Sequence, residues 1–285
     1  MTYQHGLGMI KINRQKNKEK RGNSMVLILV FLICFFASIV GAICGIGGGV
    51  IIKPVLDAFG IMSVSAISFL SGCTVLSMTT YSVIRSKRSG ASRIDQKTGF
   101  PLAVGAAIGG VFGKYLFQII KNMNPNPNRV GAVQALCLLI VTLGTLIYTI
   151  KKNQIKTRRV TNPAVCVGIG LFLGIMSSFL GIGGGPINLV VLFYFFSMDT
   201  KTAAENSLYV IFFSQLASLI LSIVTGTIPD VSIGMLMLMV CGGICGGLCG
   251  RKVNKKLTET SVDKLFIGLM VLMILINIYN IYKFM

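Results

Sequence analysis

The sequence predicts an all-α polytopic membrane protein made of two homologous four-element halves. Three observations carry that prediction. Hydrophobic residues make up 53% of the 285-residue chain and charged residues only 12%, with a mean hydropathy of +0.78. Several apolar runs reach the roughly 20 residues that a helix needs to span the hydrocarbon core, and the short alternating segments of a β-barrel are absent. A glycine-rich interruption occurs twice, as Gly45-Ile46-Gly47-Gly48-Gly49 and Gly181-Ile182-Gly183-Gly184-Gly185, 136 residues apart.

These observations exclude other classes. The net charge of +19 comes from Lys and Arg in an N-terminal tail and between apolar runs, as the positive-inside rule expects. The lipid bilayer is therefore the expected partner, and nucleic acid is not. All eight cysteines lie in apolar segments, which argues against a disulfide framework. His5, in the tail, is the single histidine, so a zinc site or a His-based triad has almost nothing to be built from. No Walker GxxxxGK[ST] motif is present. No cofactor is expected, and the apolar region offers no acid/base pair for an enzyme.

Taken in order, residues 1–24 form a basic polar tail with Lys11, Arg14, Lys16, Lys18, Lys20 and Arg21. The apolar run Met25–Val40 with Gly41-Ala42 imitates a signal peptide. Apolar sequence continues to Phe59 without a polar mature start, so it is read as the first membrane element. The first repeat, 25–150, holds elements 25–59, 61–84, 99–120 and 130–150. A basic inter-repeat loop, 151–162, follows. The second repeat, 163–285, holds 163–198, 202–225, 231–250 and 262–284. Elements one and five are each about 35 residues, too long for one straight crossing. Glycine costs about 1 kcal/mol relative to alanine inside a helix, so both are expected to fold into helical hairpins at their glycines.

The repeat extends beyond the glycines. Ser71 to Gly90 and Ser207 to Gly226 close the next helix at the same offset of 136. Asp95 and Asp230 follow. Gly105-x3-Gly109-Gly110-x2-Gly113-Lys114 then matches Gly242-x3-Gly246-Gly247-x2-Gly250-Arg251 at offset 137. If the two long elements return to their entry side, the basic loops 85–98, 151–162 and 251–261 share one side and Asp230 takes the other. Each half then crosses three times, and the halves are inverted repeats. The basic tail and the C-terminus conflict with this arrangement, because it puts both outside. If all eight elements cross, the halves are parallel.

The doubled GxGGG break, the serine at the start of the following helix and the basic loop ending in glycine resemble the sulfite exporter TauE/SafE family, also called the four-toluene sulfonate uptake permease family. The resemblance covers residues 25–284. It implies a cell-membrane transporter of small sulfur-containing anions such as sulfite or organosulfonates. Pro54 follows the first break. The second break has Pro186 directly after it and Val190 where Pro54 would align.

An anion inside an apolar protein must exchange water for fixed hydrogen-bond donors. Backbone N–H groups at a glycine turn and at helix N-termini supply them. Gly47, Gly48, Gly49, Gly183, Gly184 and Gly185 are the expected nest, with close helix packing as the competing use of small residues. Ser71 and Ser207, at matching positions, with Asn206, Asn188 and Thr74, could complete the shell or make interhelical hydrogen bonds. Lys53 could pair with the anion or with Asp57 four residues on. A coupling proton, using Glu205 or Asp57, or a sodium ion is a further expected partner. Cys241, Cys245 and Cys249 share a helix face with interleaved glycines and read as packing residues rather than a soft-metal ladder. Lys114 and Arg251 are expected to mark the inner ends of their helices. Two mechanisms remain: alternating access around the breaks, or a channel with the breaks as filter.

Overall fold

The computed structural model describes residues 24–88, 94, 96–123 and 126–285, and the described residues contain helices and no strand. The tail up to residue 23, Gly90 and Asp95 lie outside them. The first long element is two helices, α1 (Ser24–Cys44) and α2 (Gly49–Phe59). Then come α3 (Val64–Arg88), α4 (Gln96–Met123) and α5 (Pro127–Lys151). The fifth element is again two helices, α6 (Pro163–Leu180) and α7 (Pro186–Phe196), followed by α8 (Thr200–Val224), α9 (Ile233–Lys256) and α10 (Glu259–Phe284). Among the described residues eight helices, all but α2 and α7, are long and apolar enough to cross a membrane.

Both long elements break at their glycines, and the arms are unequal. α1 has 21 residues and α6 has 18, whereas α2 and α7 have 11 each. Eleven residues at 1.5 Å rise make about 16 Å, half of a hydrocarbon core. Starts elsewhere are set by local chemistry. Asn126 and Asn162 accept from the backbone N–H of Asn128 and Ala164 to cap α5 and α6. Asp199 does the same for α8 through Thr202, and each such cap satisfies an otherwise orphaned donor.

Helix directions follow from the glycine contacts. Gly242, Gly246 and Gly250 of α9 lie against Phe31, Phe35 and Ile39 of α1, and Gly243 and Gly247 against Thr74 and Met78 of α3. The numbers rise together, so α1, α3 and α9 run the same way. Gly105, Gly109 and Gly113 of α4 lie against Val167, Leu171 and Ile175 of α6, and Gly99 and Gly110 lie against Asn206 and Ser214 of α8. Hence α4, α6 and α8 also run together. α3 and α8 oppose each other, since Gly72 meets Gln215 while Lys87 lies over the Tyr209 ring. Because α1 is parallel to α3, the chain returns between them through α2. The same holds for α6, α7 and α8, and there the end of α7 binds the strand-like approach to α6: Arg158 and Val160 donate to the carbonyls of Tyr194 and Phe195.

The glycine-rich helices thus exchange partners. α4 leaves its own half to pack on α6, and α9 packs on α1. One face of the molecule gathers the ends of α3, α5 and α9 with the starts of α4, α6, α8 and α10. It carries Arg85, Lys87, Arg88, Lys151, Lys255 and Lys256. There Lys152 bonds Asp263 at 2.5 Å and Thr200 donates to the same carboxylate at 3.0 Å, tying α5, α8 and α10 together. Asp230 lies at the other face. Large apolar side chains such as Phe112, Ile140, Val224 and Leu275 point outward and are exposed, a surface that belongs in lipid.

Candidate functional site

The two glycine breaks meet at the centre of the bundle. A Cβ on Gly49 would fall 2.3 Å from the Ile182 carbonyl oxygen, and one on Gly47 would fall 3.5 Å from that of Gly183. Val75 of α3 packs on Gly47, Gly49 and Gly183, and Ile211 of α8 packs on Gly47 and Gly184. Gly45 touches Ala204, and Gly181 touches Ser68. Val75 and Ile211, Ser68 and Ala204, and Gly45 and Gly181 are each 136 positions apart, so the contacts obey a local two-fold relation between the halves. The turn needs glycine for its backbone as well as its size. Gly183 and Gly184 have φ of 75° and 115°, values that side chains strongly disfavour.

The structure brings Gly47, Gly48, Gly49, Gly183, Gly184 and Gly185 together as tightly packed backbone, not as the wall of an open cavity. Ser71 and Ser207 are fully buried, on the helix faces between the residues that touch the breaks. Among the described residues their hydroxyls have no hydrogen-bond partner. Asn188 is fully buried one turn into α7, with its Nδ2 beside Gly184, and neither amide atom is paired. Leaving such groups unpaired costs about 1–3 kcal/mol each. Asn206 donates to the Thr202 carbonyl at 2.9 Å, and Thr74 to that of Leu70 at 2.8 Å.

Lys53 stands apart from these groups. It is buried and bonds Asp57 at 2.7 Å within α2. α10 reinforces that helix: Asn280 donates to the Pro54 carbonyl at 2.9 Å, and Lys283 caps the carbonyls of Asp57 and Ala58. Cys241, Cys245 and Cys249 are exposed, on the face of α9 away from its buried glycines.

A polar cavity of about 30 Å³ adjoins the crossing at Gly181. Lys114, Gln134, Gln215, Ser68, Ser178 and Ser218 line it, and all are at least about nine-tenths buried. Here the sequence expectation is corrected. Lys114 does not mark a helix end, because α4 continues nine residues beyond it to Met123. Gly110 and Gly113, on the same helix face, pull α4 against α8 and α6 and turn Lys114 inward. Its ammonium lies 5.6 Å from the centre of the Phe117 ring. Among the described residues it has no carboxylate partner. Gln134 Nε2 donates to the Phe179 carbonyl at 2.6 Å and Gln215 Nε2 to Ser177 Oγ at 3.1 Å, while Gln134 Oε1 and Ser68 Oγ are unpaired. The sequence did hold a signal for this site: a lysine inside an apolar span is a functional residue by default.

Comparison with known proteins adds to this geometry. The sequence model of the family described as Sulfite exporter TauE/SafE matches residues 30–276. The chain is similar to the Probable membrane transporter protein YunE of Bacillus subtilis (strain 168), at 21% identity over 228 residues, 71% of this chain and 80% of that protein. No solved structure matches the chain significantly.

Proposed function

Starting from the premise that the chain belongs to the sulfite exporter TauE/SafE family and is a multi-pass membrane transporter, we propose that it moves a small sulfur-containing anion, sulfite or a small organosulfonate, across the cell membrane by alternating access. It performs transport and no covalent chemistry. The observation that carries the anion class is Lys114, a buried cation without a carboxylate partner among the described residues, facing a cavity of amides and hydroxyls. A charge left unpaired away from water is costly, and a bound oxyanion relieves it through charge-assisted hydrogen bonds. The cavity's size favours a small ion: 30 Å³ is room for about two waters.

The glycine crossing is the barrier in this reading. Backbone-on-backbone contact at Gly49 and Ile182 supports a closed septum that two rigid bundles rock around, more than a filter open along its length. The opposite directions of the equivalent helices support inverted repeats, the architecture suited to exchanging one face for the other. Ser71, Ser207 and Asn188 keep unpaired polar atoms at the septum, ready to receive the anion as it passes, with the N–H groups of Gly47–Gly49 and Gly183–Gly185 behind them. The basic face is the cytoplasmic one. A proton or sodium ion drives the cycle.

The test is a thermal-shift panel of sulfite, thiosulfate, sulfate, sulfoacetate and taurine on purified protein, followed by proteoliposome flux with the strongest binder. Sulfite or a sulfonate is expected to stabilise the protein and to move. Stabilisation by cations alone, with cation flux, would replace this reading by a channel.

A further inference from the structure

The repeat sets a second cation opposite Lys114. Arg251 occupies the equivalent position in α9, 137 residues on. The cavity lining has repeat counterparts at offset 136, Ser82 for Ser218, Ser86 for Ser222, Thr79 for Gln215 and Gly45 for Gly181, and the first of them, Ser82, touches Arg251. The two sets lie on opposite sides of the glycine crossing. Ser68 and Gly72 are in the first turns of α3, whereas Ser82 and Ser86 are in its last turns.

The two half-sites differ in state. Arg251 Nη1 donates to the Ser82 carbonyl, and Asn254 Nδ2 donates to the Ile43 carbonyl at 2.5 Å. On the cavity side Gln134 caps the Phe179 carbonyl, the repeat counterpart of Ile43. Lys114, however, makes no such bond to Ser218, the counterpart of Ser82, although Ser218 lines the same cavity. One cation is folded onto a helix carbonyl and the other faces open space.

We propose that Lys114 and Arg251 are paired anion-holding cations that act in turn. Each holds the anion while its own cavity is open. Each closes that cavity by donating to a helix carbonyl, Ser218 for Lys114 and Ser82 for Arg251, while the other is open. The carbonyl gives the cation a partner once the anion has left, so neither state strands a buried charge. This inference rests on the transporter reading above and adds to it the residues that alternate.

The test is side-resolved transport of sulfite in proteoliposomes of known orientation. Loss of a charged hydrogen bond is worth about tenfold or more in affinity. Lys114→Gln is expected to raise the apparent KM about tenfold for sulfite presented at the Asp230 face, with little change from the basic face, and Arg251→Gln to do the reverse. Lys114→Arg and Arg251→Lys, which keep the charge, are expected to recover part of the affinity that the Gln variants lose. A second measurement holds if a Gln variant does not accumulate. Sulfite should protect Ser218→Cys from an impermeant thiol reagent added at the Asp230 face, and Ser82→Cys from the basic face. Wild-type sulfite flux with unchanged KM in both Gln variants, or with protection of neither cysteine, overturns the pairing and leaves the transporter reading standing. Absence of wild-type flux for every small sulfur anion overturns the proposed substrate class itself.

Discussion

Gly184 shows how little freedom single residues at the crossing have. Its φ of 115° is a glycine conformation, and a Cβ there would fall 2.4 Å from Ile211 and 2.8 Å from the Asn188 amide. Gly184→Val is therefore expected to abolish flux while the protein still inserts, and Gly48→Val likewise, since its Cβ would meet Ser38 at 2.8 Å. Wild-type flux in either variant would remove the septum from the mechanism. Lys53 is a different kind of residue. Its buried pair with Asp57 stabilises α2 rather than contacting the crossing. Truncating one partner of a buried pair costs about 3–5 kcal/mol, while replacing both by apolar residues is often neutral. Lys53→Met should lower the melting temperature in detergent, and adding Asp57→Leu should restore most of it. A double variant as unstable as the single one would refute the pairing as the cause.

At the scale of elements, the glycine stripes of α4 and α9 decide which helices touch. In lipid there is no hydrophobic drive between helices, so close backbone approach and van der Waals packing take over. A Cβ at Gly109 would sit 2.1 Å from the Leu171 carbonyl, and one at Gly246 would sit 2.2 Å from that of Phe35. Overpacking of this kind costs about 1–3 kcal/mol or more. Gly109→Leu and Gly246→Leu should each reduce the monodisperse fraction on size exclusion, and by similar amounts because the contacts are equivalent. Loss in only one would show that the two stripes carry different loads. The same helix directions predict membrane sidedness. Single cysteines in loop 226–230 should react with an impermeant reagent from one side, and cysteines in loops 85–98 and 251–261 from the other. Loop 226–230 on the side of loop 85–98, with loop 251–261 opposite, would refute the returning hairpins.

The whole molecule is two interlocked bundles around one crossing. Each break is pressed against the long helix of the other half, Gly45 on Ala204 and Gly181 on Ser68, so neither half completes its centre alone. Such an interlock is the kind of packed interface that could carry a change in one half to the other in the proposed cycle. The molecule is also not fully symmetric. Lys114 faces a cavity of amides and hydroxyls, whereas its repeat counterpart Arg251 donates to the Ser82 carbonyl.

The sequence by itself determined the class, the two-fold repeat and the places where the helices break. These depend on local quantities: apolar run length, the helix cost of consecutive glycines, and equal spacing. It also singled out the glycines, Ser71 and Ser207, because the repeat carries each of these landmarks to its counterpart. Tertiary structure alone decided what those residues face. Whether three glycines line a cavity or seal against a neighbour depends on which backbone arrives opposite them, and here it is Ile182 and Gly183 from the other half. Lys53 shows the same limit: it lies near the break in sequence, yet its side chain pairs with Asp57 within α2. Lys114 shows it most clearly. In sequence it follows a glycine stripe and reads as the end of a helix. Only the packing of Gly110 and Gly113 against Ser214 and Ile175 turns it inward, away from lipid, and makes a buried cation the polar centre of the fold.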